Sequence, residues 1–106
     1  MSYAASSEAF ELIDGHILRA SCKNEEGEWC QSEIDLDQHI GNENGHFIWG
    51  GENFSQSAVG INLEEGHRLT ADLVREDGEL NTGEARQGID LNERIGNHNG
   101  VLVYVE

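Results

Sequence analysis

Proline is missing altogether, lysine and arginine number only six between them, and there are two cysteines and one methionine. Without proline, the turns have to be built from glycine, asparagine and aspartate. Six basic residues against 21 acidic ones give a formal net charge of −15, which repels phosphate backbones and anionic lipid. Nucleic acid and membrane surfaces are thereby excluded as partners. Cys22 and Cys30 are too few for a disulfide scaffold and lack the further Cys or His pairs of a zinc site. No apolar run approaches membrane-spanning length, and residues 1–14 (MSYAASSEAFELID) have neither a basic start nor a continuous apolar stretch. A cleavable signal peptide is therefore not expected, and a cytoplasmic protein, or one released by another route, is.

What is present is a stretch that occurs twice. Residues 34–49 (IDLDQHIGNENGHFIW) and 89–104 (IDLNERIGNHNGVLVY) align at a constant offset with identical Ile, Asp, Leu, Ile, Gly, Asn, Asn and Gly. At an offset smaller by four, His67, Leu69, Ala71, Glu76, Gly78 and Glu79 repeat His16, Leu18, Ala20, Glu25, Gly27 and Glu28. The duplication thus covers nearly the whole chain. At 106 residues there is room for one modest core and not for two, so residues 1–106 form one domain whose similar halves share a core. The chain's 37% hydrophobic residues, with aromatics spaced along both repeats, argue against the disorder that a strongly acidic composition allows.

No helix of useful length fits the pattern, and the chain reads as all-β. A polar leader, Ser2 to Glu8, precedes Phe10, Leu12 and Ile13 and can be ordered only by packing on the body. Residues 16–22 (HILRASC) and 29–36 (WCQSEIDL), separated by NEEGE, read as a β-hairpin that sets Cys22 and Cys30 on one face of adjacent strands. Two reduced thiols and a cross-strand disulfide are both compatible with that placement. After Leu36, Asp37 is expected to cap one short turn over Gln38 and His39, with Gly41 ending it. Asn44-Gly45 is a tight-turn dipeptide before 46–49, a short strand of large side chains. Gly50-Gly51 then offers a hinge or a tight junction. The four-residue change of offset places a longer or bulged connection at Asn81-Thr82-Gly83. The expected core is Ile34, Leu36, Ile40, Phe47 and Trp49 with Ile89, Leu91, Ile95, Leu102 and Tyr104.

The loops GNENG and GNHNG admit two readings. Asparagine tolerates left-handed backbone and glycine follows it, so they serve as connectors. Alternatively Asn42, Asn44, Asn97 and Asn99 present carboxamides, donor and acceptor at once, beside carboxylates, a combination suited to vicinal sugar hydroxyls. Paired carboxylates also cleave glycosides, yet runs such as Glu25-Glu26 and Glu64-Glu65 read as solvated faces. His16, His39, His46, His67 and His98 never recur at ligand spacing, and the Asn loops lack the terminal acidic ligand of a calcium loop. No metal or cofactor is expected. Asn53-Phe54-Ser55 fits the N-glycosylation pattern and is read as coincidence.

The two repeats, the SIDL-like entry into the short turn, the NxxG loop, the Trp49 and Asn53-Phe54 junction and Tyr104 together resemble the cyanovirin-N family of mannose-binding lectins. The resemblance runs from about Ser7 to Tyr104. It implies two pseudo-symmetric halves, each a three-stranded antiparallel sheet plus a β-hairpin with short 3₁₀ turns, and strands exchanged between halves. One half would be residues 1–38 with 94–106, the other 39–93. It also implies a non-catalytic protein with a site at each end for terminal α(1→2)-linked mannose. Carried over residue by residue, the terminal site is Ser6, Ser7, Lys23, Asn24, Glu25, Gly96, Asn97, His98 and Asn99. The middle site is Gly41, Asn42, Glu43, Asn44, Glu52, Asn53 and Ser57 with Val74, Arg75, Glu76, Asp77 and Gly78.

Departures from the family bear on order and rank. Glu8, Ala58 and Leu73 replace cysteines of its two disulfides, so packing and hydrogen bonds must hold the leader. Gly51 replaces a junction proline, which relaxes hinge strain and favours a monomer over a strand-exchanged dimer. Val74 and Gly78 replace a basic residue and a glutamine, which ranks the middle site as the weaker one. A module that keeps the fold for structural or protein-interaction purposes, without sugar binding, is the alternative function.

Overall fold

In Ile17–Lys23, every second residue, Leu18, Ala20 and Cys22, is buried, while Ile17, Arg19 and Ser21 are half-exposed and Lys23 is exposed. That two-residue period makes the segment the middle strand of a sheet with one face on the core. The computed structural model describes residues 3–82 and 87–105. Ser2, at the start of the leader, and Gly83, in the proposed bulge, lie outside the described residues.

The described residues begin with a 3₁₀ turn, η1 (Tyr3–Ser6), and a sheet of β1 (Ser7–Ile13), β2 (Ile17–Lys23) and β3 (Trp29–Asp35) in that order. After η2 (Leu36–Gln38) comes the hairpin β4 (Ile40–Glu43) and β5 (His46–Trp49). The sequence of events then repeats: η3 (Phe54–Ser57), β6 (Ala58–Glu64), β7 (Arg68–Leu73) and β8 (Gln87–Asp90) in a second three-stranded sheet, η4 (Leu91–Glu93), and the hairpin β9 (Ile95–His98) and β10 (Val101–Tyr104). All described pairings are antiparallel. The repetition extends to defects: β1 shifts register between Glu8 and Glu11 and β6 between Val59 and Asn62, with Ala9 (φ 58°) and Gly60 (φ 66°) in the left-handed region at the bulges.

Each hairpin packs on a sheet formed elsewhere in the sequence. The β9–β10 hairpin lies on the first sheet, where the Leu102 amide donates to Ser32 Oγ (3.0 Å). The β4–β5 hairpin reaches the second sheet, where Asn81 Nδ2 donates to the Gly45 carbonyl (2.9 Å). Of the expected core, Leu36, Ile40, Ile89, Leu91, Ile95 and Leu102 are buried, and Ile34, Phe47, Trp49 and Tyr104 pack against it half-buried. Tyr3, Leu18, Phe54 and Leu69 join them, fully enclosed.

The short turn after Leu36 differs from expectation in its cap. Asp35, still extended at φ −84° and ψ 107°, caps η2 by accepting from the Asp37 amide, and His39 ends it. Asp37 is engaged across the junction instead, its carboxylate taking the Ser55 amide (3.0 Å) and hydroxyl. Nor is Gly41 a stop: it is a buried strand residue whose lack of a side chain admits Gly51. A Cβ on Gly51 would stand 2.7 Å from Gly41 Cα and 2.8 Å from its nitrogen, so the glycine pair is a tight junction and not a loose hinge.

Both repeats place a histidine against the carboxylate that caps the short turn. His16 Nδ1 lies 2.7 Å from Asp35 Oδ1 and 3.5 Å from Asp37 Oδ2; His67 Nδ1 lies 3.0 Å from Asp90 Oδ1. The Asp35 hydrogen bond raises the His16 pKa above 6.5 against the opposing effect of burial, with Asp35, Asp37 and Asp14 adding charge attraction. Burial pushes Asp35 up, but the His16 and Asp37-amide hydrogen bonds outweigh it and hold the carboxyl below 3.8. A raised His16 stabilises fully below pH 6.5 and loses its effect as pH climbs through its folded value, whereas a lowered Asp35 contributes above 3.8. His16→Gln is therefore expected to cost up to about 1 kcal/mol near pH 5.5, because the pair is solvent-screened, and less near pH 8.5. Urea midpoints of both proteins at the two pH values test this; a penalty that grows with pH would contradict it.

Candidate functional site

The Asn loops form as two-residue turns between short strands. Asn44 (φ 48°) with Gly45 (φ 89°), and Asn99 (φ 48°) with Gly100 (φ 88°), take positive φ at both central positions, the type I′ geometry that matches strand twist. Glycine is required second for space as well. A Cβ on Gly45 would meet Arg75 and Asn81 at 2.8 Å, and one on Gly100 would meet Cys30 at 3.0 Å.

The first asparagine of each loop turns inward. Asn97 Nδ2 donates to Ser6 Oγ (3.0 Å) and the Lys23 carbonyl (2.9 Å), while its Oδ1 accepts from the Gly100 amide (2.8 Å). Asn42 does the same in the middle half, donating to Ser57 Oγ (2.8 Å) and the Val74 carbonyl (2.8 Å) and accepting from Gly45 (2.8 Å). The second asparagine reaches the facing turn: Asn99 Oδ1 accepts from the Glu25 amide (2.9 Å), Asn44 Oδ1 from Glu76 (3.0 Å). Each clasp thus ties three separate stretches, loop, 3₁₀ turn and hairpin turn, into one rim. For the terminal set these stretches bring Ser6, Lys23, Glu25, Asn97 and Asn99 together. For the middle set they bring Asn42, Asn44, Ser57, Val74 and Glu76.

Several sequence readings change in consequence. The asparagines act less as free carboxamides offered to a ligand than as staples that hold a wall in shape. Val74 takes its place through a main-chain carbonyl, so replacing a basic side chain leaves the middle clasp intact. Ser7 Oγ is shut off from solvent and has no hydrogen-bond partner among the described residues. Gly41 and Gly96 are buried in their strands, below the rim. Glu43, Glu52, Asn53, Asp77, Gly78 and His98 are exposed. Asn53 sits at φ 59° as the entry to η3, with no capping bond from its side chain.

The hairpin turns are shaped by different means. Asn24 Oδ1 accepts from the Glu26 (3.0 Å) and Glu28 (2.9 Å) amides and its Nδ2 lies 3.5 Å from Cys30 Sγ. In the middle half Arg75 occupies that position, and Asp77 Oδ1 takes over by accepting from Glu79 (2.9 Å), with Arg75 Nη2 3.4 Å from Asp77 and 3.6 Å from Glu79. Cys22 and Cys30 stand directly opposite each other in the β2–β3 register as free thiols, Cys22 buried. His16, Asp35 and Asp37 do come together, which spacing did not foretell, because strand pairing unites them. Their donor atoms are engaged with one another and with Ser55.

The turns at Gly15 and Gly66 border one groove, lined also by Phe10, Leu12, Ile61, Asn62 and Leu63. From there β2 runs outward from Ile17 to Lys23, about 20 Å at the rise of a strand, and β7 runs outward in the same way from Arg68. The molecule is 50 Å long and 23 by 20 Å across. Sequence reading missed Asn81 and Trp29 near these rims. Asn81 lay in a stretch read as loop, and Trp29 is matched in the second repeat by Leu80, which is not aromatic.

A family profile described as "CVNH domain" matches residues 3–103. A "Cyanovirin-N homolog" of Tuber borchii is 52% identical over 106 residues, covering 98% of this chain and 99% of the relative. The solved structure of the T. borchii CVNH superposes with a TM-score of 0.84, at 51% identity over 98% of this chain and 99% of that one. A microvirin:mannobiose complex matches at a TM-score of 0.82 and 28% identity, covering 97% of each chain. A MoCVNH3 variant in complex with (N-GlcNAc)4 matches at 0.85 and 27%, covering 96% of this chain and 95% of that one. The duplicated clasps, the sheets exchanging hairpins and these matches agree: the chain belongs to the CVNH family, the cyanovirin-N homologs, a family of non-catalytic carbohydrate-binding lectins.

Proposed function

We propose that the protein binds terminal α(1→2)-linked mannose of high-mannose glycans at two separate rims, without catalysis. The observation that carries this reading is the same asparagine clasp built twice, from residues far apart in sequence, leaving exposed carboxylates and main-chain groups around Lys23 and Glu25 at one rim and around Arg75 and Glu76 at the other. Mannobiose bound to microvirin supports mannose as the sugar. The (N-GlcNAc)4 complex of another relative makes chito-oligosaccharide the comparison that any test must include.

Ring hydroxyls hydrogen-bonded at a shallow rim gain little individually, because water is displaced from both partners. Affinity at one rim is therefore modest, and branched glycans that span both gain through effective concentration. The protein acts as a monomer with two sites. Titrating α(1→2)-mannobiose and, separately, N-GlcNAc oligomers while following amide NMR signals tests this. Mannobiose at millimolar concentration is expected to shift residues 97–99 and 23–25, and 42–44 and 75–77. Shifts with N-GlcNAc oligomers alone would replace the sugar; silence with both would leave the interaction-module alternative.

A further inference from the structure

We infer that Trp29 and Lys23 extend the terminal rim into a subsite for one further hexose, with the indole as a platform beneath the sugar ring; this rests on the sugar-binding reading above. Trp29 opens β3 with 51% of its surface exposed, whereas the other tryptophan, Trp49, is half-buried with its Nε1 3.5 Å from Glu93. Core packing does not account for an indole so placed. Its direct partner across the β2–β3 ladder is Lys23, whose Nζ stands 5.7 Å from the ring centroid. The same Lys23 supplies the carbonyl that Asn97 clasps at 2.9 Å. One residue thus has its backbone in the rim and its ammonium on the tryptophan, which makes platform and rim continuous.

The chemistry fits a pyranose. A hexose carries a polar edge of hydroxyls and an apolar face of C–H bonds, and a flat π-face with negative quadrupole suits the latter. Lys23 adds a donor beside a turn in which the Glu25, Glu26 and Glu28 side chains are acceptors. A cation over an exposed ring is weakly held, so the ammonium can leave the indole for a hydroxyl at small cost. The middle rim lacks both groups: Val74 bridges to Leu80 at the corresponding place, and Leu80 is 37% exposed. The two ends therefore differ in ligand length. The terminal one gains from a third sugar and the middle one does not.

The test compares α(1→2)-mannobiose with the corresponding mannotriose by amide NMR at residues 97–99, in the wild type, Trp29→Ala and Trp29→Phe. The wild type is expected to bind the longer ligand about five- to tenfold more tightly. That gain should vanish in Trp29→Ala and largely return in Trp29→Phe, and the Trp29 indole N–H should shift with mannotriose much more than with mannobiose. A gain undiminished in Trp29→Ala, or absent from the wild type, overturns the subsite while leaving the rim standing. Amides 97–99 that respond to neither sugar overturn the sugar-binding reading, and the subsite with it.

Discussion

Replacing Tyr3 by alanine is expected to lower stability by about 3–5 kcal/mol, the range for deleting a buried aromatic side chain. For a domain of this size the thermal midpoint falls by roughly 12 °C or more. The ring is fully enclosed, edge-on to Phe10 at 5.7 Å and 78°, and its hydroxyl donates to the Gly66 carbonyl. Burial, with Asp90 and Cys22 nearby, pushes the phenol far above its usual pKa, so it remains a donor throughout the working range. Phe10 in turn covers Gly66, where a Cβ would come within 2.5 Å of its ring. Tyr3 therefore fastens the leader to the β6–β7 turn and so fixes Ser6, three residues on. Tyr3→Phe removes only the hydroxyl and should cost about 1 kcal/mol. Thermal scans of both variants check the magnitudes, and sugar titration checks the asymmetry: residues 97–99 should lose their response in Tyr3→Ala before residues 42–44 do. Equal losses for the alanine and phenylalanine variants would show that the ring is not the anchor.

This anchor is the part of the fold that the sequence conceals best. Tyr3 sits among Ser, Ala and Glu with no apolar periodicity around it, and its value comes from Phe10 and Gly66, which only tertiary packing brings near. The duplication, the hairpin at NEEGE and the Asn-Gly turns were legible because each is written in adjacent residues. The core positions of the repeated stretch were legible too, since Leu36, Ile40, Leu91 and Ile95 recur at fixed spacing around one short turn. Capping at that turn was misread by two residues. Asp35 and Asp37 are equally good caps on paper, and only the Ser55 amide and hydroxyl decide that Asp37 faces the junction. The rims were assembled from resemblance, and the structure repeats one hydrogen-bond pattern at both: Asn97 bonds Ser6 and Lys23 as Asn42 bonds Ser57 and Val74. What sequence could not supply is the direction of a carboxamide. An asparagine in a turn satisfies left-handed backbone whether its side chain faces water or the protein.

That direction makes the clasp asparagines the next largest liability. Asn97→Ala removes two donors and one acceptor at once, leaving the Ser6 hydroxyl, the Lys23 carbonyl and the Gly100 amide to water. At about 1 kcal/mol for each bond, and with the rim open enough for water to replace part of them, the expected loss is about 2–3 kcal/mol. Asn42→Ala should match it, because the middle clasp has the same three partners in kind. The functional consequence is local. With residues 97–99 no longer tied to Ser6 and Lys23, the terminal rim loses its shape, and mannobiose binding there should weaken at least about tenfold while residues 42–44 respond as before. Asn42→Ala should produce the mirror image. Asn97→Asp separates the donors from the acceptor: it keeps an oxygen for Gly100 but turns a negative charge on the Lys23 carbonyl, so it should be no better than alanine. Recovery of stability in the aspartate variant would mean that the turn needs only a polar filler, and that the two donated bonds do not hold the rim.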